Sequence, residues 1–491
     1  MNKSQHSVQS LTTSSPGPHS PRRVAVIGGG ISGLAAAHRL TELDPAIEIV
    51  LFEAADRLGG VLQTTRRDGY LLDHSADSFI TNVPWALDLC RRIGMADELI
   101  QTSETGRRAL VVRRGKLYPV PEGFTLMAAA KIWPVLSTPI LSPWGKLRLA
   151  MEYFVPRRTD DGDESLASFA RRRLGNQVFE RLVQPLAAGI YTADAERLSL
   201  AAAFPRFREM ERRHGSLIRA ARCEAKRVAA AAEQASGARY SLFVAPRDGL
   251  ASLVEAIARR LPEGSVRLNS PIERLAARAE GGWNVWVAGQ TEAEAFSAVI
   301  VALPAPRAAR LLKEVDDQLS GHLAEIRYAG SAVVLLGYRR DQIARPLDGF
   351  GFVVPEIERR KILAASFSSL KFAGRAADDR VLIRAFVGGA SRPDLVEASD
   401  DELRRIVTGE LGELLGVSGE PELFQVCRWA GKMPLYHLGH VELVERIESH
   451  VAALPNFALA GNAYHGVGIP QCIHSGEQAA QRVAPNWHGA G

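Results

Sequence analysis

The regular part of the chain opens with a short apolar run. Residues 23–27 (RVAVI) are apolar and rich in β-branched side chains, and the stretch GGGISGLAAAHRL that follows is typical of a glycine turn leading into a helix near Ile31. A second apolar run, IEIVLFE at 47–53, indicates another strand. A strand, a helix and a second strand in this order predict a βαβ unit with parallel strands and a right-handed crossover.

The apolar pattern changes several times further along. The alternating pattern and turn signals over 61–75 indicate hairpin strands. Residues 109–120 indicate a hairpin centred on Arg114 and Gly115. Ala- and Arg-rich residues with proline breaks predict mostly helices over 123–233. The elements predicted beyond that region are a helix at 249–260, strands near 265–269 and 283–287, a buried strand within 297–304, several strands over 330–390, and a strand, a glycine-rich loop and a helix over 457–480.

Three glycines follow the first strand with the spacing G-x-G-x-x-G. Gly28 permits a tight turn, Gly30 lets a diphosphate approach the backbone, and Gly33 lets the helix and the strand pack closely. The start of the helix, at Ile31 and Ser32, offers free N–H groups and the positive end of the helix dipole to phosphates. This spacing directly after a strand predicts a dinucleotide site.

An acidic residue ends the second strand. Glu53 lies 20 residues after Gly33, where its carboxylate can accept hydrogen bonds from both ribose hydroxyls and repel the 2′-phosphate of NADP. Because strand, helix, second strand and acid are all in place, a bare glycine turn is disfavoured and a dinucleotide is predicted.

The next residues favour FAD as that dinucleotide. Arg57, Gly59 and Gly60 follow Glu53 as E-x-x-x-R-x-G-G, which resembles the extended fingerprint of flavoproteins with two dinucleotide-binding folds. The glycine pair would let the backbone approach the diphosphate and ribitol, and Arg57 would supply positive charge. An ordinary glycine turn with a solvated arginine is the alternative.

A second flavin segment is indicated near the other end of the chain. Residues 457–480, FALAGNAYHGVGIPQCIHSGEQAA, resemble the C-terminal flavin segment of the same superfamily. The resemblance implies that Gly461 and Asn462 approach the diphosphate and ribitol, and that a helix beginning near Gln471 stabilises negative charge on the reduced flavin. The candidate cofactor residues beyond the first motif are Arg57, Gly59, Gly60, Val266, Gly461, Asn462, Gly468, Ile469 and Pro470.

The middle of the chain carries a closer resemblance. Residues 182–220, LVQPLAAGIYTADAERLSLAAAFPRFREMERRHGSLIRA, look like the characteristic segment of protoporphyrinogen and coproporphyrinogen oxidases. Shorter segments match that family in the same order, namely DHSADSF (73–79), RRALVVRRGKLYPVPEG (107–123), GSAVVLLGY (330–338), PLDGFGFVVP (346–355), SFSSLKF (366–372) and FVGGA (386–390). The resemblance covers residues 23–485, and Ser75 departs from it because glycine is more usual there.

The resemblance implies an FAD-dependent oxidation of protoporphyrinogen IX or coproporphyrinogen III to the porphyrin in haem synthesis. Six electrons and six protons leave the porphyrinogen, so FAD would be reduced and reoxidised three times with dioxygen as the acceptor. The flavin carries this chemistry, and we assign no catalytic side chain. The alternatives are a flavin amine oxidase or carotenoid desaturase on the same fold, and a non-catalytic binding protein of the GDP-dissociation-inhibitor type.

The predicted fold class is α/β (α+β overall). It combines a Rossmann-type FAD-binding domain, a mixed-sheet substrate-binding domain and a helical, membrane-associating domain. The predicted ranges are a disordered leader at 1–22, an FAD-binding domain at 23–105, 240–315 and 450–485, a substrate-binding domain at 106–122 and 316–449, and a helical domain at 123–235.

A porphyrinogen is an apolar macrocycle with anionic propionates, so its pocket needs apolar walls and a few cations. Arg108 is the candidate cation, since a guanidinium can bind a carboxylate through two hydrogen bonds; a solvated hairpin arginine is the alternative. Leu335 and Phe367 are candidate walls for the pyrrole rings, with plain core packing as the alternative.

Residues 124–154 place Trp133 and Trp144 near basic residues and short apolar turns. This combination favours contact with a membrane surface, and a helical pair that faces the core is the alternative. Residues 451–476 lack charged side chains, but their prolines, glycines and asparagines predict a loop-rich binding segment and no membrane span.

Composition changes this picture little. A formal net charge of +5 on 491 residues allows attraction to acidic membranes or carboxylate substrates and does not indicate nucleic acid. The four cysteines are widely scattered, which indicates neither a disulfide framework nor a metal site and fits a reducing compartment. We therefore expect a cytoplasmic protein, with peripheral attachment to the inner face of the cell membrane and a homodimer as further options.

Overall fold

The computed structural model describes residues 22–104, 106, 108–234 and 242–484. The disordered leader predicted at 1–22 lies, except for its last residue, outside the described residues. Within the described ranges, no helix combines the length and the apolar character needed to cross a bilayer.

The described strands, in chain order, are β1 (Arg23–Ile27), β2 (Glu48–Phe52), β3 (Thr64–Arg67), β4 (Tyr70–Asp73), β5 (Phe79–Ile80), β6 (Leu99–Gln101), β7 (Ala109–Arg113), β8 (Lys116–Pro119), β9 (Phe124–Thr125), β10 (Ala128–Ala129), β11 (Phe243–Pro246), β12 (Val266–Arg267), β13 (Ile272–Ala277), β14 (Trp283–Val287), β15 (Glu294–Phe296), β16 (Ala298–Val301), β17 (Tyr328–Arg339), β18 (Gly351–Val353), β19 (Ala364–Phe367), β20 (Arg380–Gly388), β21 (Leu423–Pro434) and β22 (Phe457–Leu459).

The described α-helices are α1 (Ile31–Leu43), α2 (Trp85–Arg92), α3 (Ile132–Ser137), α4 (Pro143–Ala150), α5 (Leu166–Leu174), α6 (Asn176–Val178), α7 (Gln184–Tyr191), α8 (Leu200–Ala203), α9 (Pro205–His214), α10 (Leu217–Gln234), α11 (Leu250–Ala258), α12 (Ala305–Leu312), α13 (Asp317–Glu325), α14 (Ser368–Lys371), α15 (Asp394–Glu397), α16 (Asp400–Leu415), α17 (His440–Ala453) and α18 (Ile469–Val483). Short 3₁₀ turns and one π-helical turn (Phe179–Val183) lie between them.

A five-stranded parallel sheet has the order β12-β2-β1-β16-β22. Its central strands are apolar on both faces because both faces are covered, as is usual for parallel sheets. Helices α1, α11 and α18 pack on one face, and the meander β13–β15 with α12, α13 and α17 packs on the other. The predicted βαβ unit is confirmed, since β1 and β2 pair in parallel and α1 begins at Ile31.

A seven-stranded mixed sheet has the order β21-β17-β20-β19-β18-β7-β8. Its neighbouring strands are antiparallel except β18 and β7, which are parallel. One face packs against α16, and the other packs in part against the hairpin β3–β4. The predicted hairpin is confirmed, because Arg114 and Gly115 form the turn between β7 and β8 with φ angles of 50° and 69°.

Helices α3–α10 share a third hydrophobic core, as the Ala- and Arg-rich pattern predicts. A buried ion pair between Glu152 and Arg173 lies within this region. The Glu152 carboxylate also accepts hydrogen bonds from Leu217 N (2.8 Å) and Ser216 Oγ (2.6 Å). It therefore satisfies N–H groups at the start of α10 that have no partner within the helix.

Candidate functional site

The glycine turn between β1 and α1 shows a different constraint at each position. A Cβ on Gly33 would lie 1.9 Å from the carbonyl oxygen of Gly28, so only glycine allows the helix to begin this close to the strand. Gly28 itself has a φ of 110°, which disfavours other residues. A Cβ on Gly30 would meet no described atom within 4 Å. The open space at Gly30 fits the predicted approach of a diphosphate.

Glu53 directly follows β2 and holds this turn. Its Oε2 accepts a hydrogen bond from Gly29 N (2.7 Å), and its Oε1 accepts one from Ala55 N (2.8 Å). Its own N–H donates to the carbonyl of Arg267, which places the predicted residue Val266 beside Leu51 in the sheet. A cleft of about 350 Å³ opens at the carboxyl ends of these strands, where parallel sheets bind their ligands. The cleft is lined by Ile27, Gly28, Phe52, Glu53, Leu303 and Arg307 among others.

The loop that carries Arg57 lies against the glycine turn. Gly59 N donates to Gly29 O at 2.8 Å, and Gly59 pairs with Gly30 as an isolated parallel bridge. Arg57 donates to the carbonyl oxygens of Gly60 (2.7 Å) and Leu58 (3.1 Å). Arg57 therefore holds its own loop, in addition to contributing positive charge.

The C-terminal segment meets the same turn through a helix contact. Helix α18 begins at Ile469 after Gly468, two residues before the predicted start at Gln471. A Cβ on Gly476 would lie 2.1 Å from Ser32 O, so α18 and α1 touch at their backbones. The two sequence segments that predict FAD binding are thus brought together.

Tyr436 fixes the loop between β22 and α18. Its hydroxyl donates to Asn462 O (2.6 Å) and accepts from Gly466 N (2.8 Å). Its ring stacks on His440 with centroids 4.1 Å apart. Burial lowers the pKa of His440 to about 4, so this imidazole is neutral at neutral pH. The sequence analysis assigned no role to this pair.

A buried charge cluster connects the seven-stranded sheet with the segment 73–79. Asp77 forms ion pairs with Lys371 (3.0 Å) and Arg384 (2.8 Å). Burial alone would raise the pKa of the Asp77 carboxyl, but Lys371 and Arg384 outweigh it and hold this pKa far below its usual range. Arg384 also donates to the carbonyl of Ser75, and Ser75 Oγ donates to Val61 O (2.6 Å). The segment therefore links the sheet to the loop that follows Arg57.

The sheet register places the two predicted wall residues, Leu335 and Phe367, on opposite faces. Leu335 pairs with Arg384, which pairs with Ser366, so these side chains share the face toward segment 73–79. Phe367 is the next residue and points to the opposite face, where it packs near Phe352 under α16. Leu335 and Phe367 are both fully buried, which fits the alternative of plain core packing, and their role as pocket walls stays a prediction.

Phe386 is a partly buried aromatic residue on this face, as is Trp429. It pairs with Val333 and Ala364 and is only partly buried. Sequence analysis missed it although FVGGA (386–390) is one of the matching segments, because the side of the strand cannot be read without its register. Val353 lies close by on the same face, next to Gly189 of α7. A Cβ on Gly189 would lie 3.8 Å from Cγ1 of Val353.

Arg108 lies just before β7 at the rim of the same sheet. Its Nε donates to Asp348 O (2.8 Å), and its Nη2 lies 3.1 Å from Asp348 Oδ2. The Arg108 side chain is 49% exposed, so solvent screens this ion pair.

Comparison with known proteins identifies the family of this chain. The family of flavin containing amine oxidoreductases matches residues 31–484. The coproporphyrinogen III oxidase of Bacillus subtilis is 33% identical over 93% of this chain and 97% of its own length. The mitochondrial protoporphyrinogen oxidase of Nicotiana tabacum is 29% identical over 94% of this chain and 95% of its own length. A crystal structure from Exiguobacterium sp. 255-15, assigned as a protoporphyrinogen oxidase, has a TM-score of 0.83 at 28% identity and covers 96% of this chain and 100% of that one.

These matches span nearly the whole chain and favour the porphyrinogen oxidases over the amine oxidase, carotenoid desaturase and GDP-dissociation-inhibitor alternatives. The glycine turn, Glu53 and the loops around Gly59 and Asn462 fit the FAD that the family uses. The chain belongs to the flavin-containing amine oxidoreductase family, within it to the coproporphyrinogen III and protoporphyrinogen oxidases, and its cofactor is FAD.

Proposed function

We propose that this protein oxidises coproporphyrinogen III to coproporphyrin III in haem synthesis, with dioxygen as the electron acceptor. The observation that carries the proposal is the partly buried ring of Phe386 beside Val353, on the face of the mixed sheet that segment 73–79 connects to the FAD loops. An apolar macrocycle needs such a wall beside the cofactor. FAD, when bound, supplies the capacity to accept electrons in pairs.

The protein's own residues orient the substrate and keep the site rigid. Phe386 offers a ring against which a pyrrole can pack, and Val353 extends the apolar surface toward α7. The ion pairs of Asp77 fix the segment that lies over this face. Since no described side chain on this face is placed as an evident general base, we propose positioning and not proton transfer as the contribution of these residues.

The choice of coproporphyrinogen III rests on similarity and charge. The coproporphyrinogen III oxidase relative is more similar to this chain than the protoporphyrinogen oxidase relative, at 33% against 29% identity. Coproporphyrinogen III carries four propionates and protoporphyrinogen IX carries two, so exposed cations at the pocket rim favour the former. We propose Arg108 as one of these cations, since half of its side chain is exposed despite the contact with Asp348.

The test is anaerobic reduction of the bound flavin by each porphyrinogen in turn. Coproporphyrinogen III should bleach the flavin absorbance faster than protoporphyrinogen IX. Phe386→Ala should slow the bleaching without loss of FAD, whereas Phe424→Ala, on the opposite face of the same sheet, should not slow it. Faster bleaching by protoporphyrinogen IX would overturn the substrate assignment, and no bleaching by either would overturn the proposed function.

We also propose that helices α3 and α4 and the turn after them contact a membrane surface. Trp133, Trp144 and Phe154 are 81%, 78% and 82% exposed, far more than large apolar side chains in a core. Lys146 and Tyr153 flank an apolar groove of about 250 Å³ on this surface. Exposed aromatic residues beside basic ones are typical of proteins that bind at the membrane interface.

A further inference from the structure

The FAD diphosphate requires positive charge beyond what the sequence motifs identify. A diphosphate within a dinucleotide carries two negative charges. Arg57, the cation of the sequence motif, donates to the carbonyl oxygens of Gly60 and Leu58 and so uses N–H groups to hold its own loop. The dipole of α1 contributes only a partial charge. Other cations near the glycine turn would therefore help to compensate the charge of the diphosphate.

Lys432 is one such cation. It lies near the end of β21, and its carbonyl accepts a hydrogen bond from Asn462 Nδ2 (3.4 Å) in the flavin loop. The side chain is only partly exposed, yet its ammonium has no hydrogen-bond or ion-pair partner in the described ranges. The ammonium keeps contact with solvent and is not engaged by a described acidic side chain, so its charge is available to an anion bound nearby.

Arg307 is the second cation. It lies in the first turn of α12 and lines the cleft that also contains Gly28 and Glu53. Its side chain is exposed, and its guanidinium makes no hydrogen bond or ion pair to any residue that the structure describes, so it is free to contact a ligand in the cleft. Leu303 lines the same cleft, and a Cβ on Gly461 would lie 3.9 Å from its carbonyl oxygen. The cleft at Arg307 therefore adjoins the loop that contacts Lys432.

The two cations influence each other. Burial lowers the pKa of Lys432, the positive charge of Arg307 lowers it further, and the carboxylate of Glu53 raises it. Glu53 accepts hydrogen bonds from Gly29 and Ala55 and forms no ion pair with either cation among the described residues. Lys432 is half-buried and Arg307 is exposed at the cleft, so the two like charges repel each other in part, and an anion bound between them would relieve that repulsion.

We propose that Lys432 and Arg307 bind the diphosphate of FAD. They complement the glycine turn, which offers backbone N–H groups but no full charge. Glu53 keeps the adjacent position for ribose hydroxyls, where a second anion would be repelled. The proposal concerns the cofactor alone and is independent of which molecule the enzyme oxidises.

Binding of nucleotide fragments to the full-length protein tests the proposal. The dissociation constant of FAD is measured by dilution of the holoenzyme with free-flavin fluorescence as the readout, and ADP and adenosine are titrated calorimetrically into the chain stripped of FAD. Lys432→Met and Arg307→Met should each weaken FAD and ADP by about tenfold, as expected for a partly screened charged hydrogen bond. Adenosine, which lacks phosphate, should bind each variant as it binds the wild type.

Two controls separate charge from structure. Lys313→Met removes an exposed cation just after the same helix and should leave FAD and ADP binding unchanged. Lys432→Arg retains the charge and should recover most of the affinity. The thermal midpoint of the FAD-free chain should stay the same or rise in Lys432→Met, because repulsion between the two cations is removed.

The outcomes that overturn the proposal are distinct. Unchanged ADP affinity in both Met variants would show that neither cation binds the diphosphate. An equal loss of ADP and adenosine affinity, or a lowered midpoint of the FAD-free chain, would show that the substitutions damage the cleft instead.

The predicted result also includes a weaker dependence of FAD binding on salt in each variant, because one charge contact has been removed.

Discussion

Single residues of the glycine turn have separable roles in folding and in cofactor binding. Gly33 has the Gly28 carbonyl 1.9 Å from its would-be Cβ, whereas Gly30 faces space that is empty of described atoms within 4 Å. Both glycines belong to one motif, but only Gly33 is required by the contact between helix and strand. We propose that the requirement at Gly30 comes from the ligand.

This difference predicts opposite outcomes for two substitutions. Gly30→Val should fold with a nearly normal thermal midpoint but purify without colour, because its side chain occupies the space of the diphosphate. Gly33→Ala should lower the thermal midpoint, because β1 and α1 must move apart. Flavin absorbance per protein and thermal unfolding without added FAD measure the two effects. Full FAD content in Gly30→Val would contradict the role assigned to this turn.

Arg108 and Asp348 form a second residue-scale test. If Arg108 binds a propionate, Arg108→Ala should raise the KM for coproporphyrinogen III by about tenfold, and Arg108→Lys should recover only part of this loss. Asp348→Asn should lower the KM, because the arginine loses a competing carboxylate. The measurement is the KM of each variant by steady-state kinetics, with flavin content confirmed to be normal. Wild-type KM values in Arg108→Ala and Asp348→Asn would make the pair an ordinary surface contact.

At the scale of elements, long-range contacts fix segments that have little regular structure of their own. Segment 73–79 contributes only the end of β4 and the start of β5, yet Asp77 connects it to α14 and β20 through Lys371 and Arg384. Tyr436 fixes the loop after β22 in a similar way through Asn462 and Gly466. Rigid loops place a cofactor and a substrate more accurately than mobile ones.

Asp77→Asn should therefore destabilise the protein by about 3–5 kcal/mol at pH 7, because the buried Arg384 and the half-buried Lys371 lose their acid. The depressed pKa of Asp77 means that this contribution is present above the unfolded pKa, near 3.9, and is lost as pH falls below it. The gap in stability between the wild type and the variant should be largest at neutral pH and shrink in acid. Urea unfolding across a pH series measures it.

The exposed pair of Arg392 and Asp394 provides the control for this prediction. Asp394→Asn removes an acid of the same kind from solvent-screened surroundings and should leave stability unchanged. A stability gap for Asp77→Asn that is constant with pH would contradict the assignment of the effect to its ionised carboxylate.

At the scale of the whole molecule, the two sheets and the helical region divide the functions among them. In our proposal the parallel sheet provides the FAD site and the mixed sheet provides the face at Phe386, while the helical region carries the exposed aromatic surface at Trp133 and Trp144. The proposed cofactor and substrate surfaces adjoin only because chain segments far apart in sequence converge.

The proposed membrane contact can be tested on this whole-molecule scale. Trp133→Gln together with Trp144→Gln should reduce sedimentation with acidic lipid vesicles while FAD content stays normal, because burial of both indoles in the interface is lost. Trp85→Gln, which instead loses a stacking contact with His474, serves as a control and should still sediment with vesicles. Unchanged vesicle binding in the double variant, or loss of a dimer on size exclusion, would assign the surface to a protein contact.

The sequence by itself determined the elements and motifs that short stretches of chain control. β1, the glycine turn, α1, β2 and Glu53 lie within about thirty residues, and their residue types, periodicity and backbone requirements act locally. The hairpin at Arg114 and Gly115 is predictable for the same reason. Family resemblance extended this reading to FAD and to porphyrinogen chemistry, because its motifs keep their order along the chain.

Only the tertiary structure decided which side chains face each other. A strand's alternation is visible in sequence, but the buried face of Phe367 and the more open face of Phe386 depend on the register of a sheet whose strands are far apart in the chain. Asp77 meets Arg384, and Lys432 comes within electrostatic range of Arg307 and Glu53, through the same long-range packing. Local backbone preferences act over a few residues, whereas charge pairing and burial act through space, so no short sequence pattern records them.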